Sequence, residues 1–155
     1  MPKISAGLLL YRVKNGPLEF LLVHPGGPFW KNKDDGAWTI PKGEIGDNEE
    51  QPLAAAVREF EEELGFKPGG PFIELTPIKQ KAGKMVHAWA FEGDCDPSQF
   101  KSNTFSMEWP PRSGKQAEFP EIDRAQFFNV ESAKTKINPA QIPLLEELQR
   151  RLGRA

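Results

Sequence analysis

One helical segment set between strand-forming stretches constrains this fold more than any other feature. Residues 52–64 show helical apolar periodicity and begin at Pro52, where a missing N–H costs nothing in the first turn. Gly65 follows at the position where a left-handed residue commonly caps a helix, and the prolines and glycines of residues 68–71 prevent continuation. The sequence therefore predicts a helix over residues 52–64.

Strand-like segments lie on both sides of this helix. Residues 4–13 and 18–24 are mostly apolar and are separated by residues 15–17, Asn-Gly-Pro, which predicts a hairpin. Residues 72–81 and 84–92 predict a second hairpin after the helix. The other predicted elements are loops over residues 25–37, 43–51 and 93–99, and short strands over residues 38–40, 105–109 and 125–130.

A second helix is predicted near the end of the sequence. Asn138-Pro139 opens it, and it ends near Gly153. Its apolar positions recur at spacings of three and four residues, and they are Ile142, Leu145, Leu148 and Leu152. Strands interrupted by one helix and closed by another indicate a mixed α/β layer structure, which we expect to form one domain over residues 1–155.

Charge and cysteine content narrow the class of protein. Lys and Arg number 20 against 22 Asp and Glu, a formal net charge of −2, which argues against broad electrostatic binding to DNA or RNA. A small anionic substrate is compatible with a few local lysines and a metal. The sequence has a single cysteine, Cys95, and its apolar run at residues 8–10 is too short for a signal peptide or a membrane span. These two features predict a cytoplasmic protein.

The helix over residues 52–64 has an apolar side and an acidic side. The predicted core stripe is Leu53, Val57, Phe60 and Leu64. Glu59, Glu62 and Glu63 cluster on a different face, where like charges repel one another. Hard oxygen ligands at this spacing suit Mg²⁺ or Mn²⁺, and the alternative is a solvated acidic face.

The surrounding residues resemble the Nudix box, the signature of the MutT-like Nudix hydrolases. The matching residues are Gly43, Glu50, Arg58, Glu59, Phe60, Glu62, Glu63, Leu64, Gly65 and Phe66. The resemblance implies the Nudix α/β/α sandwich with a mixed sheet. It also implies hydrolysis of a nucleoside diphosphate linked to another group, with Mg²⁺ or possible Mn²⁺ as cofactor.

The loop before the helix is one residue longer than the Nudix pattern. Counting forward from Gly43 selects Glu49, whereas counting back from Arg58 selects Glu50. We favour Glu50 as a metal ligand, because position relative to the helix decides whether a carboxylate reaches the ion. Glu49 is then a solvated loop residue.

By the same resemblance, Glu59, Glu62 and Glu63 are metal ligands, and Glu62 or Glu63 also orients the attacking water. Arg58 is structural and ties the loop to the helix by a charge-assisted hydrogen bond. Gly43 either offers a backbone carbonyl to the metal or permits a tight turn.

Glu121 is the candidate general base outside the box. Residues 121–127 resemble the corresponding segment of the diadenosine tetraphosphate hydrolases of this family, with an acid ahead of a strand aromatic. Glu118 and Glu108 are the other candidates, and a merely hydrated carboxylate is the alternative.

Further residues are predicted to bind substrate. Lys42, Lys84 and Arg112 are candidate phosphate contacts, with solvated side chains as the alternative. His87 and Trp89 share one face of a predicted strand, where Trp89 either stacks on a base or packs in the core.

Short stretches at residues 5–8, 19–22 and 38–43 are similar to dinucleoside tetraphosphate hydrolases. The resemblance leaves nucleoside triphosphates, dinucleoside polyphosphates and nucleotide sugars open as substrates, and oligomeric state open as well. A noncatalytic Nudix-fold nucleotide sensor is the main alternative, followed by an interaction domain with an acidic helix. Because Glu59, Glu62 and Glu63 are all present, the enzyme is the favoured hypothesis.

Overall fold

The computed structural model describes residues 4–13, 16–45, 51–80 and 83–154, which form an α/β fold. The strands are β1 (Ile4–Val13), β2 (Leu18–Pro25), β3 (Lys42–Glu44), β4 (Ile73–Glu74), β5 (Ile78–Lys79), β6 (Met85–Glu92), β7 (Thr104–Glu108), β8 (Gln116–Pro120) and β9 (Ile122–Asn129). The helices are α1 (Pro52–Leu64), α2 (Val130–Lys136) and α3 (Ile142–Arg151), with 3₁₀ turns at Pro97–Gln99 and Pro139–Gln141.

Seven of these strands form one mixed sheet in the order β4-β6-β1-β2-β9, with β3 also paired to β1 and β5 to β6. β1 and β6 run parallel, whereas the other pairs in the sheet are antiparallel. β7 and β8 form a separate antiparallel hairpin. The two halves of β1 therefore have different neighbours, and β3 and β6 flank its first half.

Alternating side chains of β1 supply two cores, one on each face of the sheet. Leu9 and Tyr11 pack with residues of α2 and α3. Leu8 and Leu10 pack on the opposite face with residues of α1. The predicted α/β/α sandwich with a mixed sheet is confirmed.

α1 has the predicted bounds, Pro52–Leu64. Gly65 ends it with φ 75°, and the Gly65 N–H donates to the Glu61 carbonyl at 2.7 Å. The predicted apolar stripe packs on the core, with Phe60 and Leu64 buried and Leu53 and Val57 half-buried against it. Ala55 and Ala56, which were not predicted, are fully buried as well. The helix faces the sheet through small residues, together with Phe60 and Leu64.

Three predicted strand and loop boundaries are wrong. In the predicted strand over residues 38–40, Trp38 and Thr39 make only isolated bridges, to Ile137 and Val23. Residues 43 and 44 of the predicted loop belong to strand β3, which begins at Lys42. The first strand of the second hairpin is broken into β4 and β5, with Pro77 between them. Proline has no N–H to give to a sheet ladder, which accounts for the interruption.

The region between the second hairpin and the last helix holds more structure than predicted. β8, α2 and the 3₁₀ turn at Pro97–Gln99 were not predicted, and β9 begins at Ile122. Val130 starts α2 rather than ending a strand, because the Asn129 side chain caps the helix by accepting from the Ser132 N–H at 2.8 Å. The last helix begins at Ile142, after a 3₁₀ turn over Pro139–Gln141.

Among the described residues, no helix combines the length and apolar character needed to cross a bilayer.

A buried glutamine holds the segment that leads into β3. The Gln141 side chain is fully buried and its Oε1 accepts from the Ile40 N–H at 3.0 Å. Its Nε2 donates to Thr39 Oγ1 at 2.8 Å and to Gln80 Oε1 at 3.0 Å. The 3₁₀ turn ahead of α3 thus fixes, through Gln141, the backbone just before Lys42 and Gly43.

Gln141→Leu should lower the free energy of unfolding by about 1–3 kcal/mol, because a buried N–H loses its acceptor. Urea unfolding followed by circular dichroism measures this. Gln149→Leu, at a half-buried position of α3, is the matched control. Equal midpoints for wild type and Gln141→Leu would contradict the structural role of this side chain.

Candidate active site

Three glutamates of α1 form an acidic cluster, which consists of Glu59, Glu62 and Glu63 and is ion-paired to Arg58. Arg58 Nη1 lies 3.1 Å from Glu59 Oε1 and 3.3 Å from Glu62 Oε2. Glu62 keeps 44% of its side chain exposed, whereas Glu59 keeps 17%. One arginine thus offsets part of the repulsion between two carboxylates of the same helix.

Glu63 is the most unusual group of the cluster. It is 8% exposed, and its Oε2 has no hydrogen-bond partner within the described part of the chain. Burial is the main cause that raises the pKa of Glu63 to about 8; the charges of Glu59 and Glu121 contribute to this rise, and the charge of Lys42 opposes it. A carboxylate in this setting is stabilised by a nearby cation.

The fold brings Glu121 to this cluster from the end of the hairpin β7–β8. Burial raises the pKa of Glu59, Arg58 opposes that shift, and the Glu121 charge adds to it, as it does for Glu63. The Glu121 backbone is fixed, because its N–H donates to the Asn103 carbonyl at 2.8 Å and its carbonyl accepts from the Gly26 N–H at 2.9 Å.

Gly43 faces Glu59 across the gap between β3 and α1. It pairs with Ala6 of β1, and its φ does not lie in the left-handed region. A Cβ at this position would collide with the Glu59 carboxylate. The glycine is therefore required for the close approach of Glu59, and it lies in a strand rather than in the tight turn that we considered.

Lys42 and Lys84 form the cationic side of the site. The pKa of Lys42 is lowered first by burial and then by the Lys84 charge, while Glu63 and Glu44 oppose the shift. Lys84 Nζ lies 3.4 Å from Glu44 Oε1. The two lysines are thus close enough to act on one anionic group.

His87 and Trp89 lie on β6, two strands away from Gly43. His87 and Gly43 are both register partners of Ala6, so all three belong to one row across the sheet. Both aromatic rings are half-buried, and Trp89 packs against the core on the α1 side. His87 is therefore on the same sheet face as the acidic cluster.

Other candidates lie on the hairpin β7–β8. The turn holds Arg112, which has φ 62° and donates its N–H to Glu108 Oε1 at 3.0 Å. Glu118 accepts from Thr104 Oγ1 at 2.7 Å. None of these charged side chains contributes to the pKa shifts of Glu59 or Glu63, whereas Glu121 does.

The donor set fits a hard divalent cation. The orphaned buried oxygen of Glu63 and the neighbouring carboxylates are oxygen ligands of the type that Mg²⁺ prefers. Among the described residues, however, no group of three or more acidic, histidine or cysteine side chains is arranged as a complete metal site. Arg58 takes one oxygen each from Glu59 and Glu62, and the predicted ligand Glu50, with its rival Glu49, falls outside the described residues.

Sequence analysis missed His24 and Asp123. The His24 ring is completely buried, and its Nδ1 lies 2.7 Å from Asp123 Oδ1, although 99 positions separate the two residues. Its Nε2 donates to the Lys33 carbonyl at 2.6 Å. No local pattern reveals such a pair, because the contact depends on β2 and β9 being neighbours.

Comparison with known families decides the classification. The family model described as NUDIX domain matches residues 1–148. The chain belongs to the NUDIX family. The identification made from the sequence motif is therefore confirmed, and NUDIX membership supports a pyrophosphohydrolase. Comparison with curated protein sequences finds no significant match.

Solved structures agree with the NUDIX fold. A C. elegans Ap4A hydrolase in a binary complex is 24% identical, with TM-score 0.68, covering 96% of this chain and 98% of that chain. The NUDIX domain of Shewanella oneidensis NrtR with ADP ribose is 13% identical, with TM-score 0.67. The match covers 98% of this chain and 89% of that chain. A MutT from a study of Aliivibrio salmonicida and Vibrio cholerae is 14% identical, with TM-score 0.56, covering 94% of each chain. At these identities the likeness concerns the fold.

Gly43→Ala should displace the Glu59 carboxylate and weaken Mn²⁺ binding by about 10-fold or more, since groups that orient ligands influence metal affinity on this scale. The thermal midpoint should change little, because the colliding group is the flexible end of a side chain. Calorimetric Mn²⁺ titration and thermal unfolding measure the two effects. Gly69→Ala is the control, since its Cβ would meet nothing within 4 Å. Unchanged Mn²⁺ affinity in Gly43→Ala would contradict the role of this contact.

Proposed function

We propose that this NUDIX-family protein hydrolyses a phosphoanhydride bond in a nucleoside diphosphate linked to another group, with Mg²⁺ as cofactor and Mn²⁺ as a substitute. The observation that carries the proposal is the Glu63 carboxylate, buried with an unpartnered oxygen and close to the charges of Glu59 and Glu121. A purely structural acidic face would expose its carboxylates to water instead.

The metal ligands in this proposal are Glu59, Glu62 and Glu63, with Gly43 contributing its backbone position and Glu50 a further carboxylate. When bound, the ion neutralises phosphate charge and lowers the pKa of a water molecule. Binding by Glu62 competes with its ion pair to Arg58, so Arg58 keeps the carboxylates oriented when no ion is held. Its role is structural.

Substrate phosphates would meet Lys42, on which the Glu63 charge acts, and Lys84, whose charge acts on Lys42 and whose amine pairs with Glu44. Glu121 would accept the proton of the attacking water, because its charge acts on both Glu59 and Glu63 while its side chain stays exposed. Glu62 and Glu63 would orient that water. His87, on the same sheet face, and Trp89 and Arg112 are further substrate contacts in the proposal.

A noncatalytic nucleotide-binding module is the alternative. It is favoured by one observation, the pairing of Arg58 with both Glu59 and Glu62, which occupies two of the proposed ligands. Metal-dependent turnover separates the two functions, because a binding module would hold nucleotides without releasing products.

A panel of Ap4A, ATP, ADP-ribose and a nucleotide sugar, with and without Mg²⁺, tests the reaction. We expect Mg²⁺-dependent release of phosphate-containing products from at least one compound, analysed by mass spectrometry in ¹⁸O water to locate the phosphorus attacked. Ap4A and ADP-ribose are included because one solved structure with this fold is named an Ap4A hydrolase and another is described as a complex with ADP ribose. Absence of metal-dependent turnover across the panel would favour the binding module.

Glu62→Gln should reduce the rate by at least about 10²-fold while the fold is retained, because a ligand that stabilises developing charge is lost. Steady-state kinetics at saturating Mg²⁺ measures this. Glu61→Gln changes the neighbouring exposed carboxylate and is the matched control. An unchanged rate in Glu62→Gln would remove Glu62 from the site.

Glu121→Gln should lower kcat by about 10²–10⁴-fold if this carboxylate accepts the proton. Glu118→Gln, on the hairpin surface, should leave kcat nearly unchanged. The reverse order of effects would assign the base to Glu118.

We place the protein in the cytoplasm, in keeping with its single free cysteine, Cys95.

A further inference from the structure

A cleft of about 460 Å³ opens between the hairpin β7–β8 and the turns that follow β2. Its lining includes Gly27, Lys31, Trp109, Phe119, Pro120 and Asp123. We call it the aromatic cleft. Its volume lies in the range of clefts that bind small molecules.

One wall of the aromatic cleft is the inward face of the hairpin. Alternate residues of β7 and β8 are half-buried while their neighbours are exposed, so one face is apolar. Phe105 and Phe119 on that face have ring centroids 6.0 Å apart, and Trp109 continues it. This face is only partly covered by protein, which leaves aromatic surface for a ligand.

The opposite wall is formed by Gly27, Pro28 and Lys31, in the turns that follow β2. Phe29 is 59% exposed and meets Trp109 edge to face, with ring centroids 5.6 Å apart. Gly27, with φ 98°, lies against the Phe105 ring, where a Cβ would come within 3.0 Å. The two walls therefore touch at their edges and leave the space between them open.

Hydrogen bonds hold both walls in place. His24 joins the Lys33 carbonyl to the Asp123 carboxylate through its two ring nitrogens, at 2.6 and 2.7 Å. The Ile122 N–H donates to Ser102 Oγ at 2.9 Å, which fixes the segment ahead of the hairpin to the start of β9. The cleft is thus pre-formed, and binding would not need to order its walls.

The aromatic cleft borders the segment that carries Glu121. Pro120 and Asp123 line the cleft and lie on either side of Glu121 in the sequence. Glu121 is in turn the residue whose charge acts on Glu59 and Glu63. A ligand in the cleft could therefore extend a phosphate chain toward α1.

We propose that the aromatic cleft binds the nucleobase of the nucleotide substrate, with the ring against Trp109 and Phe119. Aromatic side chains offer the flat apolar surface on which a base stacks. The Lys31 amine and the Asp123 carboxylate supply a donor and an acceptor for the polar edge of the base or its ribose. The assignment rests on the proposed function for the position of the phosphates, and on the cleft itself for the base.

The test is AMP binding to the full chain in EDTA, measured by calorimetry. Metal-free binding makes it independent of hydrolysis. AMP should bind more tightly than ribose 5-phosphate, which lacks the base. Trp109→Leu should raise the Kd for AMP by about 10-fold, since a stacking partner is lost. Trp30→Leu, a half-exposed tryptophan outside the lining of the cleft, should leave it nearly unchanged.

Phe29→Ala is the second variant, because Phe29 is exposed and its removal should not affect folding. It should raise the Kd for AMP by about threefold through loss of the edge contact with Trp109. If Trp109→Leu fails to fold by circular dichroism, the Phe29→Ala result decides. For a compound that the panel shows to be hydrolysed, Trp109→Leu should raise KM while kcat changes little.

The possible outcomes separate the two proposals. If the cleft variants lose AMP binding and the wild-type protein hydrolyses no compound of the panel, the proposed hydrolysis is overturned and the base site is supported. Turnover with unchanged KM and unchanged AMP affinity in the folded cleft variants would overturn the base site alone. Equal affinity for AMP and ribose 5-phosphate, or equal affinity for AMP and indole, would also overturn it, since the cleft would then recognise phosphate or any apolar ring.

Discussion

The placement of Glu63 is the constraint on which the candidate site depends. Its carboxylate is buried where α1 meets the sheet, close to two other acidic charges, and one of its oxygens has no partner among the described residues. Burying a charge in this way is costly unless a cation compensates it. Lys42 supplies part of that compensation, and the proposed metal would supply the remainder. The buried carboxylate therefore lowers local stability as long as no cation is bound beside it.

The sheet makes this arrangement possible. β1 lies between β3 and β6 over its first half, so residues from three separate stretches of the chain share one row beneath α1. Gly43 leaves room for the Glu59 carboxylate, and Gln141 fixes the backbone that leads to it. A stable core on the far face, built with α2 and α3, supports these close contacts from behind.

The acidic cluster and the aromatic cleft share the short segment around Glu121. Hydrogen bonds fix this segment on both sides, to Asn103 and to Gly26, and His24 braces the neighbouring Asp123. The geometry suits a substrate with two chemically distinct ends, because carboxylates and lysines lie on one side and aromatic rings on the other. Rigid support of this kind reduces the ordering cost of binding.

The sequence by itself determined α1 and its three acidic residues, because the signals are local: a proline at the start, a glycine at the end and a helical period between them. It also determined the first hairpin and the NUDIX family. It did not reveal α2, β8 or the broken strand before β6, whose short segments carry weak periodicity. Only the tertiary structure decided that Glu121 lies near Glu63, that Gly43 makes room for Glu59, and that His24 reaches Asp123. Those contacts join residues far apart in the chain, and strand order and helix packing, rather than local propensity, bring them together.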